Sequence, residues 1–163
     1  MRRFTILTIT MLALTSFMAI TALAQNAHFI NCSASGPVAP DGSLDVSFKI
    51  AGLGANETIT ITVSASSSGL FGCLNKGQQC PNATNKFDPI AVSAQGIFTS
   101  GKNGQITGSL TLEPPPPTLT CPKGQTSVIV NITYTSVTVA APPASPNCDV
   151  PGTFSANFFP QCP

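Results

Sequence analysis

From residue 26 onward, hydrophobic and polar side chains alternate with a period of two. In 44–50, Leu44, Val46, Phe48 and Ile50 fall on one side and Asp45, Ser47 and Lys49 on the other. In 57–65, Ile59, Ile61, Val63 and Ala65 alternate with Thr58, Thr60, Thr62 and Ser64. Ile106, Leu110 and Leu112 keep the same phase, with Gly108 between them marking a close approach or a bulge. Successive side chains of a strand point to opposite faces, so this pattern predicts half-buried antiparallel strands and no helix. The threonine-rich polar faces agree, because β-branched side chains pack well on a pleated surface. Weaker stretches at 27–35, 69–74, 90–99, 127–140 and 153–159 complete a set of seven or eight strands. The longest, 127–140, changes its inward phase near Ser136, which predicts a bulge.

The residues between these stretches are turn formers. Pro40-Asp41-Gly42 presets one φ and allows a positive one, and Gly101-Lys102-Asn103-Gly104 reads as a tight hairpin. The proline runs from Pro114 to Pro117 and from Pro142 to Pro146 are predicted to be loops or edges, since proline cannot donate to a sheet ladder. The stretch from Cys73 to Pro89 reads as a long polar loop. Short strands with regular turn signals predict an all-β, antiparallel, two-sheet Ig-like sandwich, with a closed barrel as the alternative. The antibody signature itself is missing: there is no Trp, and no Cys two residues after Tyr134.

Residues 1–24 change the picture of where this sandwich resides. Arg2 and Arg3 precede an apolar stretch that ends in Ala22-Leu23-Ala24, the pattern of a cleaved secretion signal, and the predicted mature domain is 25–163. No apolar run long enough to span a bilayer follows residue 24, so stable membrane insertion is not expected. All six cysteines, Cys32, Cys73, Cys80, Cys121, Cys148 and Cys162, lie in the mature part. An even set in an exported chain predicts three disulfides, and the protein is expected to be secreted and extracellular. Six cysteines allow fifteen pairings. The preferred set is Cys148–Cys162, Cys73–Cys121 and Cys32–Cys80, with a local Cys73–Cys80 loop as the nearest competitor.

Composition then excludes several function classes. Five lysines face six carboxylates in the mature part, which provides no electrostatic footprint for nucleic acid. Hydrolytic catalysis needs a nucleophile, a base and an orienting group, and the chain has one histidine, His28, expected on an edge or the surface. Among the carboxylates, Asp88 and Asp149 have the least obvious structural role. Neither a Cys-x-x-Cys pair nor a calcium loop is present, so no metal or cofactor is expected. Asn31, Asn56, Asn82 and Asn131 match the glycosylation acceptor pattern, whose use depends on the source. Phe71, Phe87, Phe158 and Phe159 are expected to fill the core, with the lining of a ligand cleft as the alternative.

Two resemblances bear on these readings. Asn26-Ala27-His28-Phe29, Ala51-Gly52-Leu53-Gly54, Cys73 with Asn85-Lys86, Ser100 to Gly104, and Cys121-Pro122 with Gly124-Gln125 resemble a group of small secreted microbial proteins of unassigned function. That resemblance implies a fold and a location but no site residues. Asp41-Gly42, Ala51-Gly52-Leu53 and the Ser-Leu-Thr-Leu of 109–112 are similar to the enediyne-chromophore apoproteins. Those are Ig-like sandwiches, and this second resemblance implies a cleft for an apolar small molecule.

The expected function is therefore a non-enzymatic extracellular interaction module, its partner a protein or a glycan. The contact surface is expected in the 73–89 loop, at Lys76, Gln78, Asn82, Asn85, Lys86 and Phe87. The alternatives are a carrier of an apolar small molecule, a secreted enzyme of unfamiliar type, and a hydrolase inhibitor. The inhibitor would need one rigid exposed loop flanked by cysteines.

Overall fold

The alternating stretches form eight strands in a computed structural model that describes residues 26–38, 40–80, 84–160 and 162. They are β1 (His28–Ser35), β2 (Leu44–Ala51), β3 (Thr58–Leu74), β4 (Thr84–Thr99), β5 (Ile106–Leu112), β6 (Thr126–Ala141), β7 (Ser145–Val150) and β8 (Phe154–Asn157). There is no helix among the described residues. The strands make two antiparallel sheets, one ordered β1-β2-β5 and the other β4-β3-β6-β7, with β8 pairing β6 beside β7.

The period-two pattern determines what lies between the sheets. Leu44, Val46, Phe48 and Ile50 of β2 face Ile61, Val63 and Ala65 of β3 and Ile132, Tyr134, Val137 and Val139 of β6 in one buried cluster. Phe48 and Phe98 meet edge to face, with ring centroids 5.1 Å apart. Both rings press on Gly108, where an added Cβ would lie 2.7 Å from Phe98 and 3.2 Å from Phe48. Gly108 is thus the close approach expected there. The phase change near Ser136 is also present: the pairing of β3 with β6 shifts between Ser64 and Ser66, and Ser136 adopts a φ of 53°.

The second sheet is the longer one, and four elements differ from expectation. The stretch 69–74 is the continuation of β3, which stays paired to β4 and β6 through its serine run; where the β3–β4 register shifts between Ser67 and Gly69, the extra residue falls on β4 at Asp88–Pro89. β4 starts at Thr84 and includes Pro89. As an edge strand it bonds only to β3, so a missing N–H can face outward at little cost. β7 was not expected at all; Pro146 is accommodated there for the same reason, at the opposite edge. The turn at 101–104 is tight, with Gly104 N–H donating to the Gly101 carbonyl at 2.9 Å. It is no hairpin, since it carries the chain from β4 in one sheet to β5 in the other.

The disulfides are Cys32–Cys148, Cys73–Cys121 and Cys80–Cys162, with Cα atoms 6.4, 5.5 and 5.2 Å apart. Cys73–Cys121 is as expected. Cys148–Cys162, Cys32–Cys80 and the local Cys73–Cys80 loop are not formed. The reason is the stacking of the sheets: β1 at the edge of one lies against β7 at the edge of the other, which brings Cys32 to Cys148. That leaves Cys80 for the tail. Three such bonds are typical of extracellular proteins. No helix among the described residues is long and apolar enough to cross a membrane. The leader, its cleavage point, Gln25 and Asn82 lie outside the described residues.

Tyr134 ties the two sheets at one further point. It is fully buried on β6, and its hydroxyl donates to the carbonyl of Gly42 at 2.9 Å, in the turn between β1 and β2. Tyr134→Phe is expected to destabilise the fold by about 1–2 kcal/mol, because it strands a buried acceptor. A loss below about 0.3 kcal/mol in urea unfolding would mean that the Gly42 carbonyl finds another donor. Burial, followed by the charges of Glu113 and Asp41, pushes the Tyr134 phenol well above its ordinary value. A raised folded value means full stabilisation below pH ~10 and progressive loss as pH rises through the alkaline range. The chain has one Tyr and no Trp, so its ultraviolet titration reports this residue alone.

Candidate functional site

Of the six residues expected at a contact loop, the structure keeps two at an exposed tip. β3 ends at Leu74, and residues 75–79 turn back on themselves around Asn75. The Asn75 side-chain oxygen accepts from the N–H groups of Gly77 and Gln79, each at 2.9 Å. Its backbone carbonyl accepts from Gln78 N–H, and its own N–H donates to the Gln79 carbonyl, both at 3.0 Å. An asparagine side chain that satisfies two backbone donors holds a turn without any help from a sheet. The turn is bounded on one side by Cys73, bridged to Cys121, and on the other by Cys80, bridged to Cys162. Lys76 and Gln78 stand exposed at its tip.

Three more of that set are elsewhere. Asn85, Lys86 and Phe87 belong to β4, opposite Phe71, Leu70 and Gly69. Phe87 is 6% exposed and stacks on Phe71, with ring centroids 4.7 Å apart, so it is a core residue and is withdrawn as a contact. Lys86 is exposed on the outer face of the second sheet. Asn75, the residue that organises the turn, was not singled out from sequence. The signal was available as an asparagine followed two residues later by glycine, a common turn pattern.

A second feature lies near the proline strap that follows β5. A groove of about 300 Å³ runs between the turn at Pro40 and Asp41, the strap Pro114 to Pro117, the start of β6 at Ser127 to Ile129, and Phe159. Its walls are mostly apolar, and Asp41 and Glu113 supply its charges. Hydrogen bonds from the backbone and side chain of Ser43 hold the Asp41 carboxyl below its usual value, so it stays ionised. Ser127 contributes a buried hydroxyl oxygen with no partner among the described residues. Phe159 thus lines a cleft, whereas Phe71 and Phe87 are core and Phe158 packs partly buried against it.

No family model matches this chain, and no curated protein matches it in sequence. The functional reading rests on its own residues. Asp88 on β4 and Asp149 on β7 lie at opposite edges of the second sheet, with β3 and β6 between them, and at different levels along the strands. Asp149 accepts from the Thr138 hydroxyl at 2.9 Å. His28 is exposed on β1 in the other sheet, where its Nδ1 donates to the Asn26 carbonyl at 2.8 Å. The structure does not bring these three residues into one cleft. Asn31 and Asn56 are exposed, whereas Asn131 is half-buried between β3 and β8.

Asn75→Ala is expected to loosen the tip while leaving the sandwich intact. Amide exchange at Gly77 and Gln79 should speed by roughly tenfold or more, since both lose their acceptor. Unchanged exchange at both amides would show that the bridges alone hold the turn.

Proposed function

We propose that the protein is a secreted, non-enzymatic interaction module that meets an extracellular protein or glycan through the turn at 75–79. The observation that carries this reading is the closure of that turn by Asn75 between two bridged cysteines, with Lys76 and Gln78 exposed at its tip. A loop already fixed in one conformation loses little entropy on binding, and a rigid scaffold carrying such a loop is the usual arrangement of a binding surface. The tight turn argues against a substrate-like hydrolase inhibitor, because Gln78 at a φ of 56° is far from an extended strand. The strand order supports an Ig-like assignment, with β1-β2-β5 taken as strands A, B and E and β4-β3-β6-β7 as C′, C, F and G.

The test is native mass spectrometry and cross-linking of the oxidised protein recovered from its own medium, comparing wild type with a Lys76→Glu, Gln78→Ala variant. Loss of a wild-type partner in the variant, at unchanged thermal stability, is the expected result. A partner held equally by both would move the contact surface elsewhere. Turnover of a substrate abolished by His28→Ala would replace the reading with an enzyme.

The groove beside the proline strap favours a second reading, a carrier of a small apolar ligand. Its volume of about 300 Å³ lies at the small end for a ligand pocket. A small-molecule adduct retained by wild type and lost in an Ile129→Lys variant would favour the carrier over the module.

A further inference from the structure

The groove beside the proline strap carries charge of one sign. Asp41 and Glu113 are among its lining residues, and no lysine, arginine or histidine lines it. Asp41 comes from the turn before β2 and Glu113 from the residue after β5, so two separate segments deliver a carboxylate to one place. Neither carboxylate has an ion pair among the described residues. Asp41 is held in position, since its Oδ1 accepts from the Ser43 N–H at 3.1 Å and from the Ser43 hydroxyl at 3.0 Å. The Ser127 hydroxyl oxygen belongs to the same lining, buried and without a partner among the described residues. Proline rings and Phe159 supply the apolar walls.

These features select the charge of an occupant. A neutral apolar molecule would strip water from two carboxylates and return nothing to them, which is costly. An anion would be repelled. A hard metal ion asks for six or more oxygen ligands. No group of three or more His, Cys, Asp or Glu able to hold one occurs among the described residues.

We propose that the groove binds a small organic amine in its protonated form, the ammonium at Asp41 and Glu113 and the apolar body along the proline strap and Phe159. This rests on the second reading above, the groove as a ligand site, and adds the charge that the ligand must carry. An ammonium has N–H donors and no acceptor, which is what two carboxylates and an unpartnered hydroxyl oxygen lack. The ring of Phe159 adds to this, because aromatic faces attract cations. A volume of about 300 Å³ suits a small molecule and not a folded partner. Ser43 holds the Asp41 carboxyl below its usual value, so this anchor keeps its charge in mildly acidic surroundings.

The experiment titrates the oxidised full domain with phenethylamine and with phenethyl alcohol, its neutral counterpart of similar shape, following backbone amides by NMR. The amine is expected to shift the amides of Ser127, Val128, Ile129 and Phe159. Its Kd should lie roughly tenfold below that of the alcohol at low salt, the gain from two exposed ion pairs. Glu113→Gln and Asp41→Asn should each weaken amine binding by roughly threefold, with alcohol binding and the unfolding midpoint unchanged. High salt should remove most of the amine's advantage. Alcohol bound at these amides as tightly as the amine would overturn the charge preference and leave the groove a carrier site for neutral ligands. Amine binding that both variants retain in full would overturn the roles of Asp41 and Glu113. Shifts from neither compound at these amides would overturn the groove as a ligand site altogether.

Discussion

Replacing Cys32 and Cys148 together by serine is expected to destabilise the protein by about 5 kcal/mol, the chain-entropy value for a loop of 116 residues. This bridge is the largest such constraint in the molecule, since the other two span 48 and 82 residues. It also acts where hydrogen bonding cannot. β1 and β7 belong to different sheets, and no ladder joins them. A typical domain has only about 5–15 kcal/mol in hand, so the double variant should unfold at a far lower denaturant concentration than wild type. Guanidinium unfolding of both oxidised proteins measures the difference. A loss under about 1 kcal/mol would mean that the denatured chain already keeps β1 near β7 without the bond.

Phe71→Ala is expected to cost about 3–5 kcal/mol, the range for deleting a fully buried aromatic ring. Phe71 is 1% exposed in the second half of β3 and belongs to the buried core. Its packing comes from Phe87, stacked at 4.7 Å. Cys73, two residues on, is bridged to Cys121. Phe71→Leu should recover most of the loss, because it leaves less empty volume. If Phe71→Ala cost no more than about 1 kcal/mol in urea unfolding, this end of the sandwich would have to collapse onto the cavity. Unfolding midpoints for both variants distinguish the outcomes.

The reading from sequence succeeded where one residue's neighbours in the chain decide its environment. β2, β5 and the first half of β3 obey strict alternation, and the phase change at Ser136 reports its own bulge. It failed where the decision is made across the molecule. The serine run 66–68 has the composition of a loop, yet it stays in the sheet because β4 and β6 pair with it on both sides. Pro89 and Pro146 read as strand breakers, and only the knowledge that β4 and β7 are edges removes the objection. Which cysteines pair depends on which sheet edges face each other, a property of the stacking and not of spacing. The turn at 75–79 was legible as an exposed loop between cysteines. Its size was not, because Asn85 to Phe87 carry polar loop-like neighbours while continuing β4. The groove was not legible either, since Asp41, Glu113, Ser127 and Phe159 come from four separate segments.

The connectivity of the bridges has a consequence for how the chain is made. Synthesis delivers residues in order, at about 5–20 per second. Strands β1, β2 and β5 are all available once residue 112 has emerged, and Cys73 can close on Cys121 soon after. Cys32 and Cys80 cannot, because their partners are Cys148 and Cys162. For much of its synthesis the nascent chain therefore exposes two thiols whose correct partners do not yet exist, next to Cys73 and Cys121, which do. Correct pairing then depends on delay or on repair: either the early thiols stay reduced until the last strands arrive, or a thiol-exchange catalyst must undo premature bonds. A chain cut short before residue 148 would keep nearly all of its alternating pattern and still lack the bond that joins β1 to β7.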